Sequence, residues 1–492
     1  MITLPSSYST LDGYADDLAR FISTPLFRQV TGGIHVNDAL VYDAWEALPS
    51  EWTAWWSAIP DHRLAQQDLI DGIGEPDRPP PPGGGDGQDQ QQRLRGRPES
   101  LSRWLATLRS LSLPRAQRPG PSVDLPEVLT GRMRPKKAAE VSVAAAHVRR
   151  VCEAHGVAHV VDMGSGQGYL SVALAFLYPG LRVLAIDGSA AQIEASEAAA
   201  AGLGIPRHRI RHMRRHVDGG GGGTTAPLLA AEIAAWAGGR RCMLVGLHAC
   251  GSLSEHMLRY FATVPCITHL AAVGCCYNHI VPRSAACPDG FPISASMRGR
   301  GVALSATALM TGCQAPENWE RRPGAGAGAG GGDDDGDEES EYSRRRFYRA
   351  LLEKVLFDKG IELDRDNRPV WGVRKGDTAS FAKFARRAAE RLGIDGDGGG
   401  GIADDDELAA YEERYRGCSA RVAILWTLGV LCCKVVESVI ALDRYCFLAE
   451  SGGRDVDVVP IFDYRTSPRN LMLVASKGPE DQPKLDITCP LG

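Results

Sequence analysis

A buried strand that breaks into a glycine-rich loop constrains the fold of this chain more than any other segment. Residues 160–168 read Val-Val-Asp-Met-Gly-Ser-Gly-Gln-Gly, and an apolar helical segment follows at once at 169–175. Glycine lets backbone N–H groups approach a ligand closely, and the positive end of a helix dipole lies at the same place. This strand, loop and helix are typical of a nucleotide-like ligand bound at the carboxyl edge of a parallel sheet.

The spacing of the glycines and the acids around them narrow the choice of ligand. A dinucleotide fingerprint needs Gly-x-Gly-x-x-Gly, but Tyr169 occupies the sixth position counted from Gly164. Asp162 ends the strand, where a carboxylate meets the cationic ammonium group of S-adenosylmethionine rather than an anionic pyrophosphate. Asp187 ends the next apolar run, and an acid about 20 residues past such a loop accepts hydrogen bonds from ribose hydroxyls. The alternative is that these acids only cap helices and the glycines only turn the chain.

We therefore predict S-adenosyl-L-methionine as the cofactor. The residues predicted to bind it are Asp162, Gly164, Ser165, Gly166, Gly168, Asp187 and Gly188.

Strand-like and helix-like segments alternate beyond residue 135, which indicates an α/β fold. Helices between successive strands imply right-handed crossovers and a parallel sheet covered on both faces. Two further runs, Val456–Phe462 and Leu471–Ser476, flank a polar turn and predict a hairpin. The other predicted elements are helix Pro135–His155, strand 159–163, helix 168–177, strand 182–187, helix 189–201, strand 209–213, helix 226–237, strand Cys242–His248, helix 252–261, strand Leu270–Tyr277, and helices 302–314, 344–359, 378–392 and 420–449.

Length and composition divide the chain of 492 residues further. Four low-complexity tracts, at 77–92, 218–223, 323–341 and 395–406, have too little apolar content to form a core, so we expect disordered insertions there. The predicted domains are an N-terminal helical domain at 1–76, a disordered tract and connector at 77–125, the main domain at 126–317, a helical insertion at 318–455, and a terminal hairpin of the main sheet at 456–477.

Charge and cysteine content favour a soluble intracellular protein. The net charge of −5 gives no global basic field that would indicate nucleic-acid binding, although a local basic surface is compatible with it. Thirteen cysteines, with no charged and apolar leader at the N-terminus, predict reduced thiols in the cytoplasm or nucleus. The apolar stretch Val422–Cys433 is too short to span a bilayer and predicts a buried core helix, so we expect no membrane partner. The oligomeric state cannot be read from the sequence.

Five separated motifs resemble one known family. They are Met133–Val141, Gly246–Ser254, Gly274–Asn278, Asp443-Arg444 and Ser467–Asn470. In this order they resemble the methyltransferase-like protein 25 family, which includes proteins named "ribosomal RNA adenine dimethylase domain-containing". The resemblance runs from about residue 126 to 477. It implies a Rossmann-like class I methyltransferase fold, with a seven-stranded, mostly parallel sheet closed by a C-terminal antiparallel hairpin. The N-terminal helical domain and the helical insertion are predicted from the residue pattern itself.

The ends of the fourth and fifth strands supply the candidate catalytic residues: His248, Cys250, Cys275 and Tyr277. Enzymes that methylate exocyclic adenine nitrogens usually carry Asn/Asp-Pro-Pro-Tyr/Phe at the fourth strand, which this chain lacks. A neutral histidine can instead take a proton from a hydroxyl acceptor, or it can simply orient the next loop. His-Ala-Cys-Gly and Cys-Cys-Tyr are also similar to motifs of a family of tRNA acceptor-stem 2′-O-methyltransferases, which points toward RNA.

The cysteines leave two further chemistries open. A thiolate could attack a pyrimidine ring, although the Pro-Cys and Thr-Cys contexts of such enzymes are absent. The second possible chemistry is zinc binding by cysteine and histidine, but these motifs contain no Cys-x-x-Cys pair. In addition, the adjacent Cys275 and Cys276 on a strand should point to opposite faces. We therefore expect buried thiols and no metal.

These observations predict an S-adenosylmethionine-dependent methyltransferase with an RNA acceptor, either tRNA or rRNA. The candidate substrate residues are Lys136, Lys137, Arg469 and Asn470. The alternative is a catalytically weak or inactive methyltransferase-fold protein that acts as an interaction module.

Overall fold

A computed structural model describes residues 2–33, 36–73, 96–217, 225–315, 341–361, 375–394 and 402–478. The four low-complexity tracts lie wholly or for the most part outside these residues. By the density of its internal contacts the chain divides into two units. One unit contains residues 1–22, 111–304 and 435–492, and the other contains 23–110 and 305–434.

The first unit is built on a seven-stranded sheet with the order β3-β2-β1-β4-β5-β7-β6. Strands β1 to β5 are parallel, and β7 pairs antiparallel with both β5 and β6. The predicted fold is thereby confirmed. The strands are β1 His159–Met163, β2 Arg182–Asp187, β3 Ile210–Arg214, β4 Cys242–Cys250, β5 Ile267–Cys275, β6 Arg454–Pro460 and β7 Leu471–Ser476.

The helices of the described chain follow in order. They are α1 Leu11–Ile22, α2 Pro25–Arg28, α3 Ser50–Ser57, α4 His62–Ile73, α5 Glu99–Leu111, α6 Glu127–Thr130, α7 Pro135–His155, α8 Tyr169–Leu177, α9 Ala190–Gly202, α10 Thr225–Ala237, α11 Leu253–Thr263, α12 Ala295–Gly299, α13 Ala306–Thr311, α14 Glu341–Asp358, α15 Phe381–Leu392, α16 Asp405–Tyr415, α17 Ser419–Leu431 and α18 Cys433–Glu450.

The central strands are buried on both faces. Every residue of β1 and of β5 is buried, as expected for strands that carry helices on each side of a parallel sheet. The helix α7 begins at Pro135 and ends before Gly156, which adopts the left-handed conformation (φ 63°) that commonly closes a helix. Its predicted bounds are confirmed.

Because strands β1, β2, β4 and β5 are parallel, their carboxyl ends meet at one edge of the sheet.

Several predicted elements differ from the structure. The single helix predicted at 420–449 is divided at Cys432 into α17 and α18, and β4 continues past His248 to Cys250. Strand β5 ends at Cys275 rather than Tyr277, because Cys276 has φ 48° and leaves the extended conformation. The predicted helix 302–314 is confined to α13, whose first turn is capped by the side chain of Ser305. The strand predicted at Val456–Phe462 begins and ends two residues earlier, at Arg454–Pro460.

The contact-based units also differ from the predicted boundaries at 1–76 and 318–455. Residues 1–22 belong with the sheet, where the Tyr14 hydroxyl donates a 2.8 Å hydrogen bond to the Leu111 carbonyl. Most of α18 belongs there too, because Asp443 accepts hydrogen bonds from the backbone of Ile293 and Ser294. These long-range contacts are not visible in local sequence patterns.

The second unit has its own core, formed mainly by α14, α15 and the start of α17. One stretch of the described chain, Asp405–Glu450, is long and apolar enough to cross a membrane, and 83% of its most apolar window is buried inside the protein. Residues 422–424 and 427–433 of this stretch are buried, as the sequence predicted for a core helix.

Candidate active site

The glycine loop between β1 and α8 turns on three glycines with positive φ: Gly164, Gly166 and Gly168. A Cβ on Gly168 would lie 1.9 Å from Ser196 Oγ, and one on Gly164 would lie 2.7 Å from Leu253 Cδ2. At Gly166 the same atom would meet nothing within 4 Å. A side chain at Gly168 would therefore clash with Ser196, and one at Gly164 would displace the end of the Leu253 side chain, whereas Gly166 borders open space from which a ligand can approach.

Asp187 lies across this loop, at the end of β2. Its two carboxylate oxygens accept 2.9 Å hydrogen bonds from the backbone N–H groups of Gly166 and Ser189. Each oxygen keeps a further lone pair for a hydroxyl donor. The neighbouring Ser165 Oγ is buried and has no hydrogen-bond partner within the described part of the chain. Gly188, the next residue, packs against His216, where a Cβ would lie 3.0 Å from Nδ1.

Asp162 lies at the same edge, near the end of β1. Its carboxylate is 2% exposed and accepts a hydrogen bond from the Ser171 hydroxyl of α8. The pKa of Asp162 is raised to about 6, mainly by burial and to a smaller extent by the charge of Asp187, while the Ser171 bond and the Lys137 ammonium act against them. A buried carboxylate in this state gains most from an additional cation. Asp162, Asp187, Ser165 and the open side of Gly166 therefore fit a cationic, ribose-bearing cofactor.

Glu140 of α7 connects this edge to β4. Its carboxylate is buried and binds three side chains: Lys137 Nζ at 2.7 Å, His248 Nε2 at 2.8 Å and Ser467 Oγ at 2.7 Å. Lys136 Nζ lies 3.9 Å away and is exposed. Burial alone would raise the pKa of Glu140, but the His248 and Lys137 bonds lower it to about 2. The carboxylate is therefore ionised at neutral pH.

His248 owes its position to a bulge in β4. Gly246 pairs with Ala272 and Ala249 with Gly274, so β4 advances three residues while β5 advances two. A bulge of this kind re-aims the side chains beside it. Because the ionised Glu140 accepts from Nε2, that nitrogen carries the proton and Nδ1 is left as the acceptor.

Three cysteine sulfurs lie together just beyond His248. The Sγ atoms of Cys250, Cys275 and Cys276 are all within 4.8 Å of one another, and Cys250 Sγ lies 3.2 Å from Cys275 Sγ. The hydrogen bond from Cys275, and to a smaller extent that from Cys276, lowers the pKa of Cys250 below its ordinary value, although burial acts against them. The expectation that Cys275 and Cys276 point apart is wrong, because Cys276 lies outside the strand in the left-handed region.

The candidate Tyr277 and the candidates Arg469 and Asn470 are placed in the interior. Tyr277 is 3% exposed, and its hydroxyl donates a 2.6 Å hydrogen bond to Glu437, a buried carboxylate of α18. Arg469 Nη1 lies 3.3 Å from the same carboxylate. The Asn470 amide donates to the carbonyls of Arg115 and Phe462 at 2.9 and 3.1 Å. These contacts make the three residues positioning groups rather than surface contacts for a substrate.

Glu437 itself is surrounded by cations. Arg115 Nη2 donates to it at 2.5 Å, and the guanidinium groups of Arg444 and Arg469 lie 5.6 and 5.7 Å from the centre of the Tyr277 ring. Burial alone would raise the pKa of Glu437, but Arg115 and Arg469 lower it. This buried network fixes the end of β5 and the turn between β6 and β7 beside the site.

The sequence reasoning missed Glu140, Ser467, Arg115 and Glu437. Glu140 lies inside a motif noted above, three residues after Lys137, which is the spacing at which helical side chains meet. That spacing and an acid in an otherwise apolar helix face could have indicated it. Its other partners come from positions far along the chain, for which the sequence carries no local signal.

Comparison with known proteins defines the class of this domain. A family model described as a methyltransferase domain matches residues 136–283, a range that contains β1 to β5, the glycine loop, Glu140 and His248. The chain therefore carries a class I methyltransferase domain. S-adenosylmethionine is the methyl donor of that class, as the sequence predicted.

The chain is similar to methyltransferase-like protein 25 over about half of its length. The chain is 28% identical over 249 residues to the human protein named "Probable methyltransferase-like protein 25" and 26% identical over 245 residues to the mouse protein of the same name. Each match covers 48% of this chain and 37% of the relative, so the chain spans little more than a third of these relatives' length. The predicted resemblance is confirmed.

A solved structure is also similar over part of the chain. It is coclaurine N-methyltransferase bound to N-methylheliamine and SAH, at 14% identity and a TM-score of 0.21, covering 48% of this chain and 63% of that one. A likeness this distant supports no inference about the site.

Proposed function

We propose that this protein transfers a methyl group from S-adenosylmethionine to a hydroxyl group of an RNA. The observation that carries the proposal is the Glu140–His248 pair at the carboxyl end of β4, joined by a 2.8 Å hydrogen bond. It supplies a proton acceptor at the edge where the methyl donor binds, which is what a hydroxyl acceptor needs.

The donor side rests on two carboxylates at one edge of the sheet. Asp162 holds the ammonium end of the cofactor, and Asp187 holds the ribose hydroxyls, with Gly166 leaving room for close approach. When bound, the cofactor supplies an electrophilic methyl group on a sulfonium. Lys137 links the two halves of the site, since its ammonium bonds to Glu140 and also lowers the pKa of Asp162.

The acceptor side rests on the orientation of His248. Glu140 accepts from Nε2, so Nδ1 receives the proton of the acceptor hydroxyl as that oxygen becomes nucleophilic. The imidazolium formed is stabilised by the adjacent carboxylate. Ser467 and Lys137 hold that carboxylate in place at 2.7 Å each.

A polyanionic acceptor is favoured by the basic side chains at the start of α7. Arg132, Arg134 and Lys136 are exposed within six residues of the chain. Arg132 also donates to the carbonyl of Gln167 at 3.3 Å, so one of these cations lies beside the glycine loop. Cations clustered at the entrance of a site attract phosphates even when the net charge of the protein is negative.

The test follows labelled methyl groups from the cofactor into fractionated RNA and protein. We expect label in RNA that is released by ribonuclease, and a loss of roughly 10²- to 10⁴-fold in rate for His248→Ala with unchanged binding of S-adenosylhomocysteine by calorimetry. Arg132→Gln with Lys136→Gln should weaken RNA binding and flatten its salt dependence, because each lost phosphate contact lowers the slope by about 1.

Two outcomes would contradict the proposal. Label found in protein alone would exclude RNA as the acceptor. Binding of S-adenosylhomocysteine that Asp187→Ala abolishes, with no methyl transfer to any cellular fraction, would support the inactive interaction module instead.

A further inference from the structure

We infer that Cys250, Cys275 and Cys276 bind a zinc ion through their three sulfurs at the carboxyl edge of the sheet. Among the residues the structure describes, these sulfurs form the group that lies close enough together to hold a metal ion. The sequence predicted no metal, so the inference departs from that expectation.

The backbone brings the three sulfurs together from two neighbouring strands. Cys250 ends β4 and pairs in register with Cys275, the last residue of β5, so the two side chains stand side by side. Cys276 would point away if the strand continued, but its φ of 48° returns its sulfur to the same side. A non-glycine residue in this conformation is strained, and such strain is concentrated at functional sites.

The distances suit a shared metal. Zinc–sulfur bonds of about 2.3 Å in a tetrahedron place ligand sulfurs roughly 3.8 Å apart. The three Sγ atoms lie within 4.8 Å of one another, and the Cys250–Cys275 pair is at 3.2 Å. The required separation falls between these two values.

The ligand set favours zinc over hard cations. Thiolates select soft or borderline metals such as Zn²⁺ and Cu⁺, whereas Mg²⁺ and Ca²⁺ require oxygen ligands. Zn²⁺ replaces the proton of each thiol, and the protons pass to solvent. Three protein ligands leave the fourth position of the tetrahedron to a water, and the exposed Cys250 places that position at the surface.

The site lies next to the proposed proton acceptor. Cys250 follows His248 by two residues, and Gly251 approaches His279 so closely that a Cβ there would lie 2.5 Å from the His279 carbonyl oxygen. The zinc would therefore rigidify the ends of β4 and β5, which carry one wall of the active site. This role does not depend on which acceptor is methylated.

The experiment measures metal on the full-length chain, purified under reducing conditions without chelator. We expect a single zinc ion per chain by mass spectrometry of the metals, and a thiolate-to-cobalt charge-transfer band after exchange with Co²⁺. Cys250→Ser, Cys275→Ser and Cys276→Ser should each weaken Co²⁺ binding by more than the roughly 10–100-fold that loss of an outer-sphere partner costs.

A matched control comes from the opposite ends of the same strands. Cys242 begins β4, and Cys266 immediately precedes β5. The two thiols hydrogen-bond to each other, and among the described residues they do not belong to a group of three potential metal ligands. Cys266→Ser should therefore bind Zn²⁺ and Co²⁺ as the unsubstituted protein does.

The inference is overturned if the reduced protein takes up neither Zn²⁺ nor Co²⁺, or if Cys266→Ser loses metal as the three site variants do. It is also overturned if peptide mapping finds a Cys250–Cys275 disulfide after purification under reducing conditions. The readout contains no methyl transfer, so metal binding and the proposed acceptor can fail independently.

Discussion

Glu140 and His248 are 108 positions apart in sequence, yet a 2.8 Å hydrogen bond joins Oε2 of one to Nε2 of the other. The Glu140 carboxylate is buried, whereas the His248 imidazole is partly exposed and is therefore accessible from solvent. A carboxylate that fixes the tautomer of a histidine in this way is a recurrent device for general-base catalysis.

Glu140→Gln is expected to slow methyl transfer by roughly 10²- to 10⁴-fold while leaving cofactor binding intact. The amide can donate to Nε2 of His248, which moves the ring proton to Nδ1 and removes the proton acceptor. Single-turnover rates with labelled cofactor measure the effect. Glu153→Gln is the matched control, because Glu153 lies on the same helix and forms an exposed ion pair with Arg149. Equal rates for the two variants would contradict the assignment.

The same carboxylate is expected to govern stability in acid. The pKa of Glu140 is about 2 in the folded protein against an ordinary value of 4.5. Its stabilisation is therefore present above pH 4.5 and is lost as the pH falls toward 2, and the shift corresponds to about 3 kcal/mol. In urea unfolding, the difference in free energy between the unsubstituted protein and Glu140→Gln should shrink between pH 7 and pH 2.5. A difference that is constant with pH would mean that the ionised carboxylate contributes no stability.

Asp162→Asn is expected to stabilise the folded protein at neutral pH, whereas Glu140→Gln is expected to destabilise it. The pKa of Asp162 is raised to about 6, above its ordinary 3.8, so the folded state loses stability as the pH rises from 4 to 6. The uncharged amide avoids this cost, and the Ser171 hydroxyl can rotate to accept from it. We expect a gain of about 1–3 kcal/mol in unfolding free energy at pH 7.5 and no gain below pH 4.

The gain in stability should accompany a loss of function. Calorimetry with S-adenosylhomocysteine should show at least about a tenfold weaker affinity for Asp162→Asn, a change of roughly 1.4 kcal/mol. The exposed Asp124→Asn serves as the control and should change neither property. If Asp162→Asn lowers the unfolding free energy at pH 7.5, burial of the ionised carboxylate does not destabilise the folded protein as its raised pKa implies.

The structural elements whose residues are close together in the sequence could be predicted from local sequence patterns. The burial of β1, the glycine loop and the acid at the end of β2 follow one another in the chain, so their periodicity and spacing predicted their arrangement. The hairpin was predictable because its two β-rich runs flank a polar turn. The rule that parallel strands end at one edge then placed Asp162 and Asp187 in the same crevice.

The features that the sequence did not predict depend on contacts between segments that are far apart in the chain. Glu140 was missed because two of its partners, His248 and Ser467, lie 108 and 327 positions away. The convergence of Cys275 and Cys276 was predicted wrongly because alternation along a strand says nothing about where the strand ends. Asn470 sits in a polar turn, which usually indicates exposure, but its amide satisfies two buried carbonyls.

Alanine substitutions at Gly166 and Gly168 of the glycine loop are expected to have different effects on stability and on cofactor affinity. Gly168→Ala should lower the unfolding free energy by more than Gly166→Ala, because its Cβ would meet Ser196 whereas that of Gly166 meets open space. Positive φ costs both substitutions about 1–2 kcal/mol. Gly166→Ala should instead show its main effect on affinity for S-adenosylhomocysteine, which calorimetry measures.

Ser196→Gly provides the check on this difference. In that background Gly168→Ala should lose less stability than in the unsubstituted protein, because the clash with the Ser196 side chain is gone. Identical losses in both backgrounds would show that backbone strain alone explains the requirement for glycine.

Glu437→Gln and Tyr277→Phe are expected to separate the buried network from catalysis. Removing the Glu437 charge leaves Arg115 and Arg469 buried without their shared carboxylate, and breaking a buried pair in this way typically costs about 3–5 kcal/mol. Tyr277→Phe removes one hydrogen bond to a charged group, so its cost should be smaller, about 1.5–3 kcal/mol. Urea unfolding measures both, and Glu232→Gln, which breaks a more exposed ion pair with Arg215, should leave the midpoint nearly unchanged.

Methyl-transfer rates on the same variants decide the role of Tyr277. Because its hydroxyl is buried on Glu437, Tyr277→Phe should retain transfer at temperatures where the variant is folded. A rate that falls by more than about 10²-fold in a stably folded Tyr277→Phe protein would restore the catalytic role that the sequence predicted. The phenol would then have to leave Glu437 during the reaction, and Glu437→Gln, which weakens that hydrogen bond, should alter the rate as well.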